Sequence, residues 1–255
     1  MAGAAAGDTP AAGAMTAKPI IETRGLVMRF GGVEVLSGID FAIDYGELRC
    51  LIGPNGAGKS TFFKCITGQL KPTAGSIKFK NETVTAADAA AIAQRGMGIK
   101  TQVPSLYDGL TVREHIRLAV ARRLSRKEVP AAIDEVLEKF GVKHLAAQIV
   151  GRLAHGQRQL VEIAMVTGSD PDLILLDEPA AGMTNQEVDL LAKLIHELKG
   201  NHSLIIVEHD MQFVQMIARN VTVLHQGRIL LEGDVHTVMR DERLRNVYLG
   251  RDAGD

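Results

Sequence analysis

Residues Gly53-Pro54-Asn55-Gly56-Ala57-Gly58-Lys59-Ser60-Thr61 have the types and spacing of a phosphate-binding loop, G-x-x-x-x-G-K-[ST]. The chemistry follows from the side chains. Gly53, Gly56 and Gly58 allow backbone angles and close approaches that a side chain blocks, so successive N–H groups can converge on phosphate oxygens. A helix starting at the end of the loop adds its positive N-terminal end. Lys59 has the reach for β- and γ-phosphates, and the Ser60 hydroxyl suits Mg²⁺. A glycine turn without a ligand is the competing reading. The flanks argue against it: Leu48 to Ile52 reads as a buried strand entering the loop, and Ser60 to Thr67 as a helix leaving it.

Further reactive side chains lie downstream. Leu173-Ile174-Leu175-Leu176 is an apolar run that ends in Asp177 and Glu178. A strand ending in Asp beside a phosphate site can hold Mg²⁺ directly or through water, and Glu178 is placed to take a proton from an attacking water. A lone acidic pair is more often a solvated strand end; the phosphate loop earlier in the chain changes that balance. His209 follows the strand-like run Leu204 to Val207. Taken alone it is a polar surface residue, but parallel topology brings strand C-termini to one crevice. Leu153-Ala154-His155-Gly156-Gln157 precedes a helix, Arg158 to Val166, and a glycine loop opening a helix is a weak anion-site signal.

These residues need a frame, and the hydrophobic periodicity supplies one. Strands are expected at Ile20 to Phe30, Val33 to Leu36, Ile39 to Ile43, Ser76 to Lys80 and Gly96 to Ile99. Helical spacing is expected at Ala86 to Arg95, Thr111 to Leu124, Arg126 to Phe140 and Lys143 to Gln148. Strands then alternate with helices: Leu173 to Leu176, Gln186 to Lys199, Ser203 to Val207, Met211 to Ala218, Val221 to Leu224. Alternation means a mainly parallel sheet covered by helices, and the strand-free stretch before it reads as a helical insertion.

The bulk numbers exclude several classes. The chain has 255 residues, 46% of them hydrophobic, enough for a sizeable core. With 29 basic and 30 acidic residues, it is not built for nonspecific nucleic-acid binding. Its only two cysteines, Cys50 and Cys65, flank the phosphate loop and read as small core residues in a reducing compartment. No apolar run approaches the roughly 18 residues that span a bilayer. Residues 1–18, rich in Ala and Gly without periodicity, read as a disordered tail.

In chain order, the phosphate loop, Gln102, Leu153-Ala154-His155-Gly156-Gln157, Leu175-Leu176-Asp177-Glu178-Pro179 and His209 resemble the ATP-binding cassette ATPases, over about residues 20–250. The resemblance implies an α/β fold: a P-loop NTPase (RecA-like) core with a mainly parallel sheet, an N-terminal antiparallel β part and a helical subdomain. The ATPase domain would run over 19–250, with its core at about 19–101 and 159–250 and the helical part at about 102–158. ATP and Mg²⁺ are the implied cofactors. Phe30 would stack on adenine; Gly53, Pro54, Asn55, Gly56, Ala57, Gly58, Lys59, Ser60 and Thr61 would hold the phosphates. Ser60, Gln102 and Asp177 would serve the metal. Glu178 would be the catalytic base and His209 the switch histidine, with Gln102 and Lys59 beside them. Gly156 and Gln157, in the signature motif, would cap the ATP held by a second subunit.

Two departures stand out. Ala154 occupies the usual Ser of the signature, and Thr184 the usual Asp of the loop after Glu178. The lost hydroxyl is worth roughly 1.5–3 kcal/mol where it would meet a charged phosphate. His155 or backbone N–H groups would have to compensate. Pro179-Ala180-Ala181-Gly182-Met183, His155 and the run Val247-Tyr248-Leu249-Gly250 resemble the importer ATPases for branched-chain amino acids and amides, with His155 leaning toward urea and short-chain amides. The implied partners are two transmembrane permease subunits, a second ATPase subunit (itself or a paralogue) and, indirectly, an extracytoplasmic solute-binding protein. Nucleic acid is not among them. The implied place is the cytoplasmic face of the inner membrane. A DNA-linked cassette ATPase would need a long coiled coil, for which the interval from Lys59 to Leu153 is too short. A regulatory module with little hydrolysis is the other alternative, motivated by Ala154.

Overall fold

The computed structural model describes residues 18–102 and 105–248, so the expected tail, except Lys18, and Leu249-Gly250 lie outside the described residues. The chain opens with a hairpin of β1 (Pro19–Phe30) and β2 (Val33–Asp44). The sequence predicts two short strands where β2 is one. Gly38 adopts a φ of 75° opposite a register shift at Leu26 and Val27, so the strand bulges there and continues. Then come β3 (Leu48–Ile52), the phosphate loop and α1 (Lys59–Ile66). They are followed by β4 (Ala74–Phe79), β5 (Glu82–Thr83), α2 (Ala89–Gln94) and β6 (Met97–Lys100).

The helical stretch contains α3 (Val112–Val120), α4 (Val129–Lys139) and α5 (His155–Gly168). Helices α3 and α4 are shorter than the spacing predicts, whereas α5 is longer than the expected Arg158 to Val166 at both ends. Past Val120 the amides of Arg122 and Arg123 bond three residues back, to Ala119 and Val120, which tightens and ends the helix. Pro130 sits in the first turn of α4, where its missing N–H costs nothing. Only Lys143–Leu145 of the predicted segment 143–148 is helical, as one 3₁₀ turn.

The remaining elements are β7 (Leu173–Asp177), α6 (Asn185–Leu198), β8 (Ser203–Val207), α7 (Met211–Ile217), β9 (Asn220–His225), β10 (Arg228–Asp234), α8 (Val235–Arg240) and α9 (Glu242–Tyr248). Two sheets result. One is antiparallel, in the order β2-β1-β4-β5; the other runs β10-β9-β3-β8-β7-β6, with β10 antiparallel and the rest parallel. This is the expected α/β architecture. Strand β10 is an addition that the periodicity does not reveal, because a register shift between Ile229 and Leu231 breaks its alternation.

The parallel strands are buried on both faces, which is why they read as unbroken apolar runs. Ile174 and Leu176 pack with α3–α7, while Leu173 and Leu175 pack with α1 and the antiparallel sheet. On that second side Phe62 of α1 meets Phe41 of β2 edge to face, with centroids 5.2 Å apart. Both cysteines are buried and free. No helix among the described residues is long and apolar enough to cross a membrane. Parallel pairing brings the C-terminal ends of β3, β6, β7 and β8 to one edge. The phosphate loop, Gln102, Asp177-Glu178 and Glu208-His209 follow them there.

Candidate active site

The phosphate loop is held open by its own backbone and by the β9–β10 turn. Gly53 has a φ of 149°, and a Cβ there would overlap the Leu224 carbonyl, so only glycine lets the loop pass this close to β9. The Ala57 carbonyl accepts from Gly227 N–H at 3.0 Å. Helix α1 starts after Gly58 with no side-chain cap, leaving its first amides free for an anion. Lys59 is buried beneath the loop; its ammonium donates to the carbonyls of Gly53 at 2.6 Å and Pro54 at 3.0 Å. Burial pushes its pKa down, against the pull of Glu178 and Asp177. Ser60 is exposed at the helix start, beside half-buried Thr61. Phe30 ends β1 with its ring half exposed, opposite Val33.

Beside the loop stand the acids. Asp177 is buried at the end of β7; burial, then the neighbouring Glu178, raises its pKa, while Lys100 and Lys59 oppose the rise. Glu178 follows with a φ of 46°, a left-handed angle that costs a non-glycine residue about 1–2 kcal/mol. Its amide donates to Val207 O at 2.9 Å, which holds the turn. The Glu178 carboxylate accepts from Gln102 Nε2 at 2.9 Å on one oxygen and contacts His209 Nδ1 at 3.2 Å with the other. Gln102, Glu178 and His209, three candidates from separate parts of the chain, thus meet at one carboxylate. A glutamate so held is aimed, and it keeps a lone pair for a proton.

The turn from Ala154 to Gln157 opens α5, with Gln157 Oε1 accepting from Ala154 N–H at 3.1 Å. It packs against the loop after Glu178. His155 Nε2 lies 3.0 Å from Ala181 O and 3.2 Å from the Gln159 amide nitrogen, while buried Gln159 Oε1 has no partner. Exchanging the amide's O and N lets Nε2–H of His155 donate to both Ala181 O and Gln159 Oε1. A Cβ at Gly156 would overlap the Glu187 carboxylate, which caps α6 through Thr184. A Cβ at Gly182, φ 72°, would come within 2.9 Å of His155 Cδ2.

Gly182→Ala is therefore expected to cost about 1–2 kcal/mol for the left-handed angle alone, with more for displacing the imidazole. At about 2–4 °C per kcal/mol for a chain of this size, melting should fall by roughly 2–8 °C. In a His155→Ala background the loss should shrink. An undiminished loss would show that the imidazole contact contributes nothing.

A family model for ABC transporters matches residues 36–181. The chain belongs to the ABC transporter family. As a member of that family it is an ATPase whose ATP hydrolysis is coupled to transport. It is 32% identical, over 251 residues, to the high-affinity branched-chain amino acid transport ATP-binding protein BraF of Pseudomonas aeruginosa, covering 91% of this chain and 98% of BraF. Identity and coverage are the same against the corresponding protein LivG of Escherichia coli. The crystal structure of the ADP conformation of MJ1267, an ATP-binding cassette of an ABC transporter, superposes with a TM-score of 0.83 at 28% identity, covering 91% of this chain and 99% of that one.

Sequence reasoning passes over three buried charged residues of this ABC cassette. Glu208 is buried beside the candidate His209; it accepts N–H from Ala180 and His209, both at 3.2 Å, and so pins the loops after β7 and β8 together. Burial raises its pKa despite those donors. Lys100 and Glu162 are buried as a pair. The only signal available was a charge inside an otherwise apolar run, as at Lys100 after Met97-Gly98-Ile99.

Proposed function

We propose that this chain is the ATP-hydrolysing subunit of an importer that takes up branched-chain amino acids or related amides, urea and short-chain amides included. The observation that carries the reading is the convergence of Gln102 and His209 on Glu178 beside the phosphate loop. The solute class rests on the names of the relatives BraF and LivG and on His155 in the signature.

Residues 53–61 bind the triphosphate, Lys59 neutralises its terminal oxygens, and Phe30 stacks on the base. Asp177, Ser60 and Gln102 are the residues to hold Mg²⁺. The donor set fits: a buried carboxylate with no ion pair among the described residues, beside an exposed hydroxyl and an amide. When bound, the cation neutralises charge on the β- and γ-phosphates. Glu178 takes the proton of the attacking water, and His209 and Gln102 hold its carboxylate in place. Gly156 and Gln157 cap the nucleotide of a second ATPase subunit, so two ATP molecules sit between head-to-tail cassettes, and hydrolysis releases them.

Residues 102–158 form the lever within a domain of about 19–250. The permease side is the cavity of about 720 Å³ that Gln94, Ile99, Tyr107, Leu118 and Arg122 help to line. Tyr107 and Leu118 are 67% and 51% exposed, an apolar lip suited to a cytoplasmic helix of a permease. The chain thereby works peripherally, on the cytoplasmic face of the inner membrane, with two permeases and, indirectly, a solute-binding protein.

The test is reconstitution with the co-purifying permeases in proteoliposomes. ATP-dependent accumulation of leucine-type amino acids, or of urea or acetamide, is the expected result. Accumulation of neither group by an assembly that hydrolyses ATP would overturn the solute assignment.

A further inference from the structure

Glu162 lies seven residues along α5 from His155, two helical turns from the signature turn. It is 2% exposed, and its one buried carboxylate joins three pieces of chain. Oε2 lies 3.9 Å from Nζ of Lys100, itself 1% exposed and the last residue of β6. Oε1 accepts the amide of Ser105 at 2.5 Å and its hydroxyl at 3.3 Å. Lys100 and Ser105 stand on either side of Gln102 in the chain, two residues before it and three after. Lys100 is also in register with Leu176 of β7, next to Asp177. A buried carboxylate is stable only while such partners hold it, so the contact resists separation of α5 from the Gln102 segment.

We propose that Glu162 is a positioning residue that couples Gln102 to the signature turn. The coupling rests on the head-to-tail reading above and extends it. Gln102 touches Glu178 in its own subunit, whereas Ala154 to Gln157 face a nucleotide held by the other. With Glu162 bound to the chain on both sides of Gln102, α5 and Gln102 move as one body. Arrival of the signature turn at one nucleotide thus sets the orientation of the amide that aims Glu178 at the other. The two hydrolytic sites are linked through the interior of each subunit, by the bond from the Ser105 amide to Glu162, with the Lys100 ammonium offsetting the buried charge.

Two double variants of the full chain, assembled with its permeases, separate this role from mere stability. Lys100→Met with Glu162→Gln removes both charges and keeps an acceptor for Ser105. Lys100→Met with Glu162→Leu removes both charges and the acceptor. Melting temperature, Mg-ATP affinity, KM and kcat are measured on each. Both should bind Mg-ATP alike, since each loses the same cation beside Asp177 and neither substitution at Glu162 touches the phosphate loop. The Leu double should lose about 10-fold in kcat at unchanged KM, and the Gln double should stay within about 3-fold of the parent. Equal kcat in the two doubles, or a fall in kcat matched by a fall in Mg-ATP affinity, would overturn the proposal. Should a double variant fail to fold, Ser105→Pro decides: it deletes the amide donor in an exposed segment and leaves the buried pair intact. It should lower kcat in the same way, and an undiminished kcat would refute the coupling. A parent chain that neither bound nor hydrolysed ATP would instead refute the functional reading beneath it.

Discussion

Glu178→Gln is expected to slow ATP turnover by about 10²–10⁴-fold, the range a positioned general base contributes. Glutamine is the informative replacement because it keeps the size and the left-handed backbone of Glu178, with its φ of 46°. It can still accept from Gln102 or contact His209, but it cannot accept a proton from water. Mg-ATP affinity should stay within about 3-fold, since the hydrolytic carboxylate serves the transition state more than the bound nucleotide. On the proposed head-to-tail arrangement, binding without hydrolysis would leave a closed dimer intact. Size-exclusion chromatography in Mg-ATP should therefore show a dimer for the variant and mostly monomer for the parent. Turnover within about 5-fold of the parent would remove Glu178 from the base role, since an effect that small lies below what general-base catalysis supplies. A variant that stays monomeric in Mg-ATP would count against the head-to-tail dimer.

Of the residues that meet at Glu178, Glu178 and His209 were legible because each follows a buried parallel strand, and such strands are unbroken apolar runs that a sequence displays plainly, as in Leu173 to Leu176. Gln102 came only with the family resemblance, since the short run Met97-Gly98-Ile99 before it marks no chemistry. The topology then does the gathering, because parallel strands share one C-terminal edge. The same logic explains what was not legible. Strand β10 is an edge strand with Arg228, Glu232 and Asp234 among its residues and a register break, so neither hydrophobicity nor period 2 marks it. The pairing of Lys100 with Glu162 joins a strand end to a helix interior across the helical insertion, and nothing local announces it. His155 reads as an oddity of the signature turn; its bond to Ala181 O depends on how α5 and the loop after β7 come to lie together. Local chemistry was readable, whereas contacts between elements distant in sequence required the assembled fold.

Lys59→Met should weaken ATP binding by about 10- to 150-fold, the equivalent of one hydrogen bond to a charged group at roughly 1.5–3 kcal/mol. Opposing effects act on the protein without nucleotide. Removing a buried ammonium removes a desolvation cost, the cost that lowers the pKa of Lys59. Yet the carbonyls of Gly53 and Pro54 lose their donor, and Asp177 and Glu178 lose a nearby cation. Methionine keeps most of the aliphatic stem in place beneath the loop, so these terms offset one another and the melting temperature should move by only a few degrees. With nucleotide bound nothing offsets the loss, because the terminal phosphates bring charge that the loop's neutral amides meet only in part. The defect should accordingly grow with the number of phosphates: small for AMP, larger for ADP, largest for ATP, as read by equilibrium titration of the two proteins. An equal defect for AMP and ATP would mean that the ammonium faces the nucleoside end or supports the loop, and the placement of the β- and γ-phosphates over Lys59 would have to be abandoned.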